Sequence, residues 1–287
     1  MTKAIKSTTA LSRRGSSRVA VKAVEAALPA TPPAPPSRLL LALEARAIFE
    51  WGAYMLAWPW MRFAPKGDGH PVMVLPGLIA GDASTWPLRH FLGQLGYEAY
   101  PWDLGANLGP RGDTVKKLLA RITEIERRHQ QKVSLIGWSL GGAMARALAG
   151  NLPELVRNVI TLGSPLQPHP RATHAWRLFE AVSGWRSDDP ELEELTRQPL
   201  NMPSTSIFSK ADGIVSWRVS LAPEHPLSEN IEIAASHLGL GVNPLALFAI
   251  ADRLSQSEAG WRPFDREGLL RSTLYRHPDQ FRFAQWL

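Results

Sequence analysis

Val133-Ser134-Leu135-Ile136-Gly137-Trp138-Ser139-Leu140-Gly141-Gly142 runs from an apolar segment into paired glycines, and the alanine-rich Ala143-Met144-Ala145-Arg146-Ala147-Leu148-Ala149 follows at once. The pattern reads as strand, sharp turn and helix, with Ser139 at the apex. A serine hydroxyl is a poor nucleophile until the backbone lifts it clear of its neighbours, beside a base and at a helix N-terminus. At such an apex the serine takes an unfavourable φ/ψ pair, and side chains two residues before and after it collide where strand passes helix. Gly137 and Gly141 remove that clash. A G-x-S-x-G string alone is weak evidence, and it is the flanking strand and helix that give it weight.

A base and a carboxylate then have to follow at the ends of later strands, in the order Ser, Asp or Glu, His. Ser204-Thr205-Ser206-Ile207-Phe208-Ser209 reads as a buried strand leading to Asp212-Gly213, and Ile231-Glu232-Ile233-Ala234-Ala235 reads as a short strand delivering Ser236-His237. His237 is the candidate general base and Asp212 the carboxylate that orients it. The competing readings are a plain Asp-Gly turn, His225 in its proline-flanked loop, and Asp188 or Asp189 in a polar stretch with no strand before it. An oxyanion hole needs two backbone amides. Leu140, directly after the nucleophile, supplies one, and Leu78 in the glycine turn after Pro71-Val72-Met73-Val74-Leu75-Pro76-Gly77 supplies the other.

These pieces together resemble the α/β-hydrolase superfamily, and within it bacterial lipase-like and esterase-like members, over roughly residues 67–263. Leu75-Pro76-Gly77-Leu78 matches the oxyanion loop, Gly137 to Gly142 the nucleophile elbow, and Val159-Ile160-Thr161-Leu162-Gly163-Ser164-Pro165 the following strand. The chain departs from many lipases at Pro76, where a histidine commonly precedes the oxyanion-loop glycine; the backbone donor is kept. The resemblance implies an α/β fold with a mostly parallel, doubly wound sheet flanked by helices and a small helical lid insertion. It implies hydrolysis of a carboxylic ester through an acyl-enzyme on Ser139. An acyltransferase using the same triad and a non-catalytic binding protein on the same fold stay open.

Composition is consistent with one catalytic domain carrying appendages. With 287 residues, 45% of them hydrophobic, the chain can bury a substantial core. It has no cysteine, hence neither disulfides nor thiolate ligands, and no tight His/Asp/Glu spacing, so neither metal nor cofactor is expected. Residues 1–38 carry seven basic residues against the single acid Glu25, which accounts for the whole net charge of +6. The remaining chain is formally neutral, and nucleic acid is not an expected partner. Residues 1–37 read as a disordered basic tail rich in Ser, Ala and Pro. It lacks the apolar core of a secretory signal, and a cytoplasmic location is expected, with peripheral membrane contact through residues 1–62 as an open alternative to a merely solubilising tail.

Residues 38–66 form an apolar segment, read as an amphipathic helix because Glu44, Arg46 and Glu50 interrupt the run needed to span a bilayer. It either packs on the core domain or seats Trp51, Trp58 and Trp60 at a lipid interface. The expected domain runs over 67–263, with an insertion at about 167–202 that is either a lid or ordinary surface helices, and 264–287 is a C-terminal extension without clear periodicity. Tyr97 to Trp102 reads as a strand, Asp113 to Arg128 as an amphipathic helix, and Pro244 to Leu254 as a helix capped by Asn243. The expected ligand is a small ester or lipid; oligomeric state is not legible.

Overall fold

A computed structural model describes residues 33–276 except 168, 170 and 171. The tail reading for 1–37 therefore falls almost wholly outside the described residues, as does the C-terminal extension beyond 276. In chain order the elements are α1 (Arg38–Ala42), a 3₁₀ turn (Leu43–Arg46), α2 (Ala47–Met61), β1 (Pro71–Leu75), α3 (Asp82–Gln94), β2 (Glu98–Pro101), α4 (Thr114–His129), β3 (Val133–Trp138), α5 (Leu140–Asn151) and β4 (Val156–Leu162). Then come α6 (Trp176–Ser183), α7 (Pro190–Arg197), β5 (Ser204–Phe208), a 3₁₀ turn (Trp217–Ser220), β6 (Ser228–Glu232), α8 (Pro244–Leu254) and α9 (Leu269–Leu274).

The six strands form one parallel sheet in the order β2-β1-β3-β4-β5-β6. β1 and β4 are buried along their whole length, as interior strands covered on both faces must be. Alternation then divides the core in two. Val72, Val74, Ile136 and Ile160 face one way, onto α3, α8 and the inner residues Tyr54 and Met61 of α2. Met73, Leu75, Leu135 and Val159 face the other way, onto α4 and α5. From β1 the chain steps outward to β2 and returns past β1 to β3. The loops leaving the carboxyl ends of β1 and β3 consequently diverge, and a crevice opens between them.

Local chemistry explains several boundaries. Asn243 caps α8 by accepting from the Leu245 amide at 2.9 Å, with Pro244 in the first turn. α4 buries Leu118, Ile122 and Ile125 and turns its charges outward. The last strand starts at Ser228 rather than Ile231. Its ladder with β5 runs from Ser204↔Ser228 to Phe208↔Glu232, and the mixed residues of Ser228-Glu229-Asn230 hide the edge strand from an alternation test.

The largest departure lies in residues 38–66. The segment breaks into α1, a 3₁₀ turn and α2; it packs on the core through Tyr54, Met61 and the half-buried Ala57 and Trp58, but its apolar residues are not confined to that side. Glu44 is buried, whereas Ile48, Phe49, Leu56 and Trp60 are exposed. Among the described residues of the stretch 167–202 are α6 and α7. Arg146 of α5, fully buried, ties α7 down by donating to the carbonyls of Thr196 and Gln198, each at 2.6 Å, and to Ser204 Oγ at 2.9 Å. The extension is not wholly irregular, since α9 lies within it and the Tyr275 hydroxyl donates to the Leu245 carbonyl at 3.1 Å.

Candidate active site

The crevice at the β1/β3 switch holds the elbow. Ser139 has φ 54° and ψ −122°, a strained pair for a residue with a side chain. The glycines around it are sterically required. A Cβ on Gly137 would lie 2.3 Å from the Gly141 carbonyl oxygen, and one on Gly141 would lie 2.5 Å from the carbonyl oxygens of Leu75 and Pro76. A Cβ on Gly142 would likewise lie 2.0 Å from Ser164 Oγ and 2.8 Å from the Gly137 carbonyl oxygen. The Ser139 amide donates to the Leu162 carbonyl at 2.8 Å, locking the apex onto β4.

The loop after β1 is braced from an unexpected residue, Asn107. Its side-chain amide donates to the Pro76 carbonyl at 2.7 Å, its backbone carbonyl accepts from Ile79 at 2.7 Å, and its amide donates to the Ala80 carbonyl at 2.8 Å. Ile79 is thereby held at φ 57°. Among the described residues neither the Leu78 nor the Leu140 amide has a protein acceptor. Two amides without a protein acceptor thus belong to residues that line the same cleft as Ser139.

Asp212 and His237 meet where β5 and β6 end. The Asp212 Oδ1 accepts from the Ile214 and Val215 amides, both at 2.8 Å, and its Oδ2 accepts from His237 Nδ1 at 2.6 Å. Both residues are buried. Burial opposes the charged imidazolium, but the Asp212 carboxylate, by charge and hydrogen bond, and the Glu44 carboxylate together outweigh it and hold the His237 pKa above its ordinary value. The His237 carbonyl accepts from Trp138 Nε1 at 3.1 Å, which couples the histidine loop to the elbow. The structure brings Asp212 and His237 into direct contact; it makes no hydrogen bond between Ser139 Oγ and His237.

A second set of residues was not legible as part of the site. Glu44 Oε1 accepts from the Gly213 amide at 2.7 Å and the His237 amide at 2.9 Å, and its Oε2 accepts from the Leu238 amide at 2.9 Å. Glu50 accepts from the Ser236 amide at 2.6 Å and from Asn243 Nδ2 at 2.9 Å. Arg46 donates to the carbonyls of Ala211 and Ala235. The three charges that interrupt the apolar segment therefore bind the two loops carrying Asp212 and His237. Glycines follow in both loops because the segment lies against them. A Cβ on Gly213 would lie 2.3 Å from the Leu40 carbonyl, and one on Gly239 2.3 Å from the Glu50 carboxyl group. The available signal was three ionisable groups in an apolar run, each of which needs a partner when buried.

A cleft of about 670 Å³, its open mouth included, reaches Ser139, Leu78 and Leu140. Apolar side chains predominate on its walls, with Ala143 of α5, Trp176 and Phe179 of α6, and Leu192 of α7 among them. The region read as a lid or as surface helices thus contributes a wall to the cleft. Of the rival acids and bases, His225 is half-buried and its Nδ1 accepts from the Leu227 amide at 3.3 Å, Asp188 pairs with Arg186 at 2.8 Å, and Asp189 caps α7.

The chain holds another Ser-His-Asp array. His70 Nε2 lies 2.8 Å from Ser134 Oγ, and His70 Nδ1 bonds Asp68, which also pairs with Arg157 at 2.9 Å. This array sits at the amino ends of β1 and β3, opposite the crevice. Ser134 and His70 are both 0% exposed, so no substrate reaches the hydroxyl. Burial, aided by Arg157 and opposed by Asp68, leaves the His70 pKa below its ordinary value. The array is a polar staple of the sheet.

Comparison with known proteins agrees with this architecture. A family model described as the alpha/beta hydrolase fold matches residues 106–219. Among solved structures, Aspergillus fumigatus lipase B is similar with a TM-score of 0.54 and 17% identity over 66% of this chain and 53% of that one. An alpha/beta superfamily hydrolase from Oenococcus oeni PSU-1 is similar at 0.51 and 16% identity, over 65% and 91% of the two chains. Paleococcus ferrophilus monoacylglycerol lipase gives 0.48 and 17% identity, over 67% and 96%. The chain spans about half the length of the Aspergillus protein. No curated protein matches the sequence. The chain has the α/β-hydrolase fold.

Proposed function

We propose that this α/β-hydrolase-fold chain is a serine hydrolase that cleaves a carboxylic ester through an acyl-enzyme on Ser139. The observation that carries the reading is a strained serine, flanked by two unpaired amides, on a sheet whose carboxyl end also presents a buried Asp–His pair. As Ser139 Oγ attacks the ester carbonyl carbon, His237 Nε2 takes the hydroxyl proton and Asp212 stabilises the imidazolium. The Leu78 and Leu140 amides receive the developing oxyanion, and loss of one such donor typically costs about 10²- to 10³-fold in kcat. Collapse breaks the ester C–O bond, and His237 returns the proton to the departing alkoxide. Water, deprotonated by His237, then attacks the acyl-enzyme; collapse breaks the bond from the acyl carbon to Ser139 Oγ, His237 returns the proton to Oγ, and the acid leaves as its carboxylate.

The apolar cleft favours an acyl chain as the buried half of the substrate, with residues 167–202 acting as its lid. The test is labelling of the purified protein by a fluorophosphonate, with mass spectrometry of the modified peptide. Ser139 is expected to be labelled, Ser139→Ala and His237→Ala to abolish labelling, and Ser134→Ala to leave it intact. Labelling of Ser134, or none in folded wild-type protein, overturns the assignment. Hydrolysis of p-nitrophenyl esters is expected to favour longer acyl chains, and addition of alcohol acceptors separates hydrolysis from acyl transfer by the products formed.

A further inference from the structure

The outer face of residues 38–63 is apolar to an unusual degree. From Leu39 to Phe63 every exposed position except Arg62 carries Leu, Ile, Phe, Trp, Met, Ala, Gly or Pro. Phe49 is 77% exposed, Leu56 75% and Ile48 70%. The segment's acids do not balance this face, since Glu44 and Glu50 point inward to the His237 loop. The fully exposed charges of residues 38–66 are Arg38, Arg62 and Lys66, all basic. Upstream, residues 1–37 add six basic residues against one acid.

We infer that this face docks the domain on an anionic lipid bilayer, lying in the interface without crossing it. No helix among the described residues is long and apolar enough to span a membrane. A protein groove would be met by polar partners, about one hydrogen bond per 100–200 Å² of interface, and this face offers only indoles and Arg62. A headgroup layer asks for what is present: aliphatic and phenyl groups to enter the acyl boundary, tryptophans at its edge, and basic residues for anionic headgroups. The face also adjoins the candidate site. Glu44 binds the amides of His237 and Leu238, and Leu238 is itself exposed. The inference does not depend on the hydrolase reading.

Deleting the segment would dismantle the His237 loop, so the experiment keeps the full chain and charges only the outer face. Flotation is measured with vesicles of phosphatidylcholine alone and with phosphatidylglycerol added. The wild-type protein is expected to float with the anionic vesicles, and Phe49→Glu/Leu56→Glu to lose at least about tenfold in partition while its thermal midpoint is unchanged. Arg62→Gln is expected to weaken partition into anionic vesicles about fivefold and leave neutral vesicles unaffected. Failure of the wild type to float with either vesicle overturns the inference. Undiminished flotation of the double variant does so too, since the basic tail would then be the anchor. A lipid-free dimer that the double variant dissolves, without flotation of the wild type, assigns the face to a second copy instead.

Discussion

Glu44 carries three backbone amides on one carboxylate, and none belongs to its own helix. Two of those amides lie in the His237 loop and the third follows Asp212, so the side chain sets the relative placement of His237 and Asp212. Glu44→Gln removes one acceptor oxygen and turns an NH₂ toward a donor, and the unmet amide costs about 1–3 kcal/mol. A fall in kcat of roughly tenfold or more is expected on a soluble ester, with KM little changed. The sign of the pH effect is separate and diagnostic. Glu44 is one of the charges that raise the His237 pKa, and the base must be neutral to accept the serine proton. Neutralising Glu44 therefore moves the acid limb of kcat/KM to lower pH. A lower rate with an unmoved limb would reduce Glu44 to a structural part.

Among elements, α5 and α7 are joined through one buried cation, Arg146. Burial lowers its pKa to about 10, leaving it charged at neutral pH, and its guanidinium meets only neutral oxygens: two carbonyls and a hydroxyl. Arg146→Ala orphans the Thr196 and Gln198 carbonyls and is expected to cost about 3 kcal/mol, read from urea midpoints. Because α7 lines the cleft through Leu192, the variant is also expected to flatten the preference among acyl-chain lengths; a shift under about 0.5 kcal/mol would refute the anchor. Arg146 marks the limit of reading elements from sequence. The elbow, α4 and the Asn243-capped α8 were legible because glycine spacing, a 3.6-residue period and a cap are local signals. Arg146 looked like one polar residue in an alanine helix, and its partners lie about 50 residues away in sequence. Asn107 and Glu44 were hidden for the same reason, since a hydrogen bond across 31 or 193 residues leaves no periodicity. In residues 38–66 the interrupting charges argued for a helix that does not span a bilayer, but not that Glu44 would turn inward while Ile48, Phe49 and Leu56 face outward.

Across the whole molecule, the sheet carries a buried histidine at each end, and the two are displaced in opposite directions. At the carboxyl end His237 faces Asp212 and Glu44 and is raised. At the amino end His70, facing Asp68, Arg157, Glu258 and the edge of the Tyr97 ring, is lowered. Linkage gives each an opposite slope. The unfolded chain protonates either histidine near pH 6.5, about the ordinary value. Native His70 resists the proton, so the unfolded state binds more of it, and stability falls as pH drops below about 6.5. Native His237 holds its proton more tightly; its contribution is fully present below about 6.5 and is lost as pH rises through the native pKa. Urea midpoints of wild type, His70→Gln and His237→Gln between about pH 5 and 9 separate the two. The destabilisation caused by His70→Gln should shrink toward acid, because the variant escapes a penalty the wild type incurs there. That caused by His237→Gln should grow toward acid. Differences that do not vary with pH would mean that neither histidine titrates in this way, and the two arrays would then be distinguished only by the opening of Ser139 to the cleft and the full burial of Ser134.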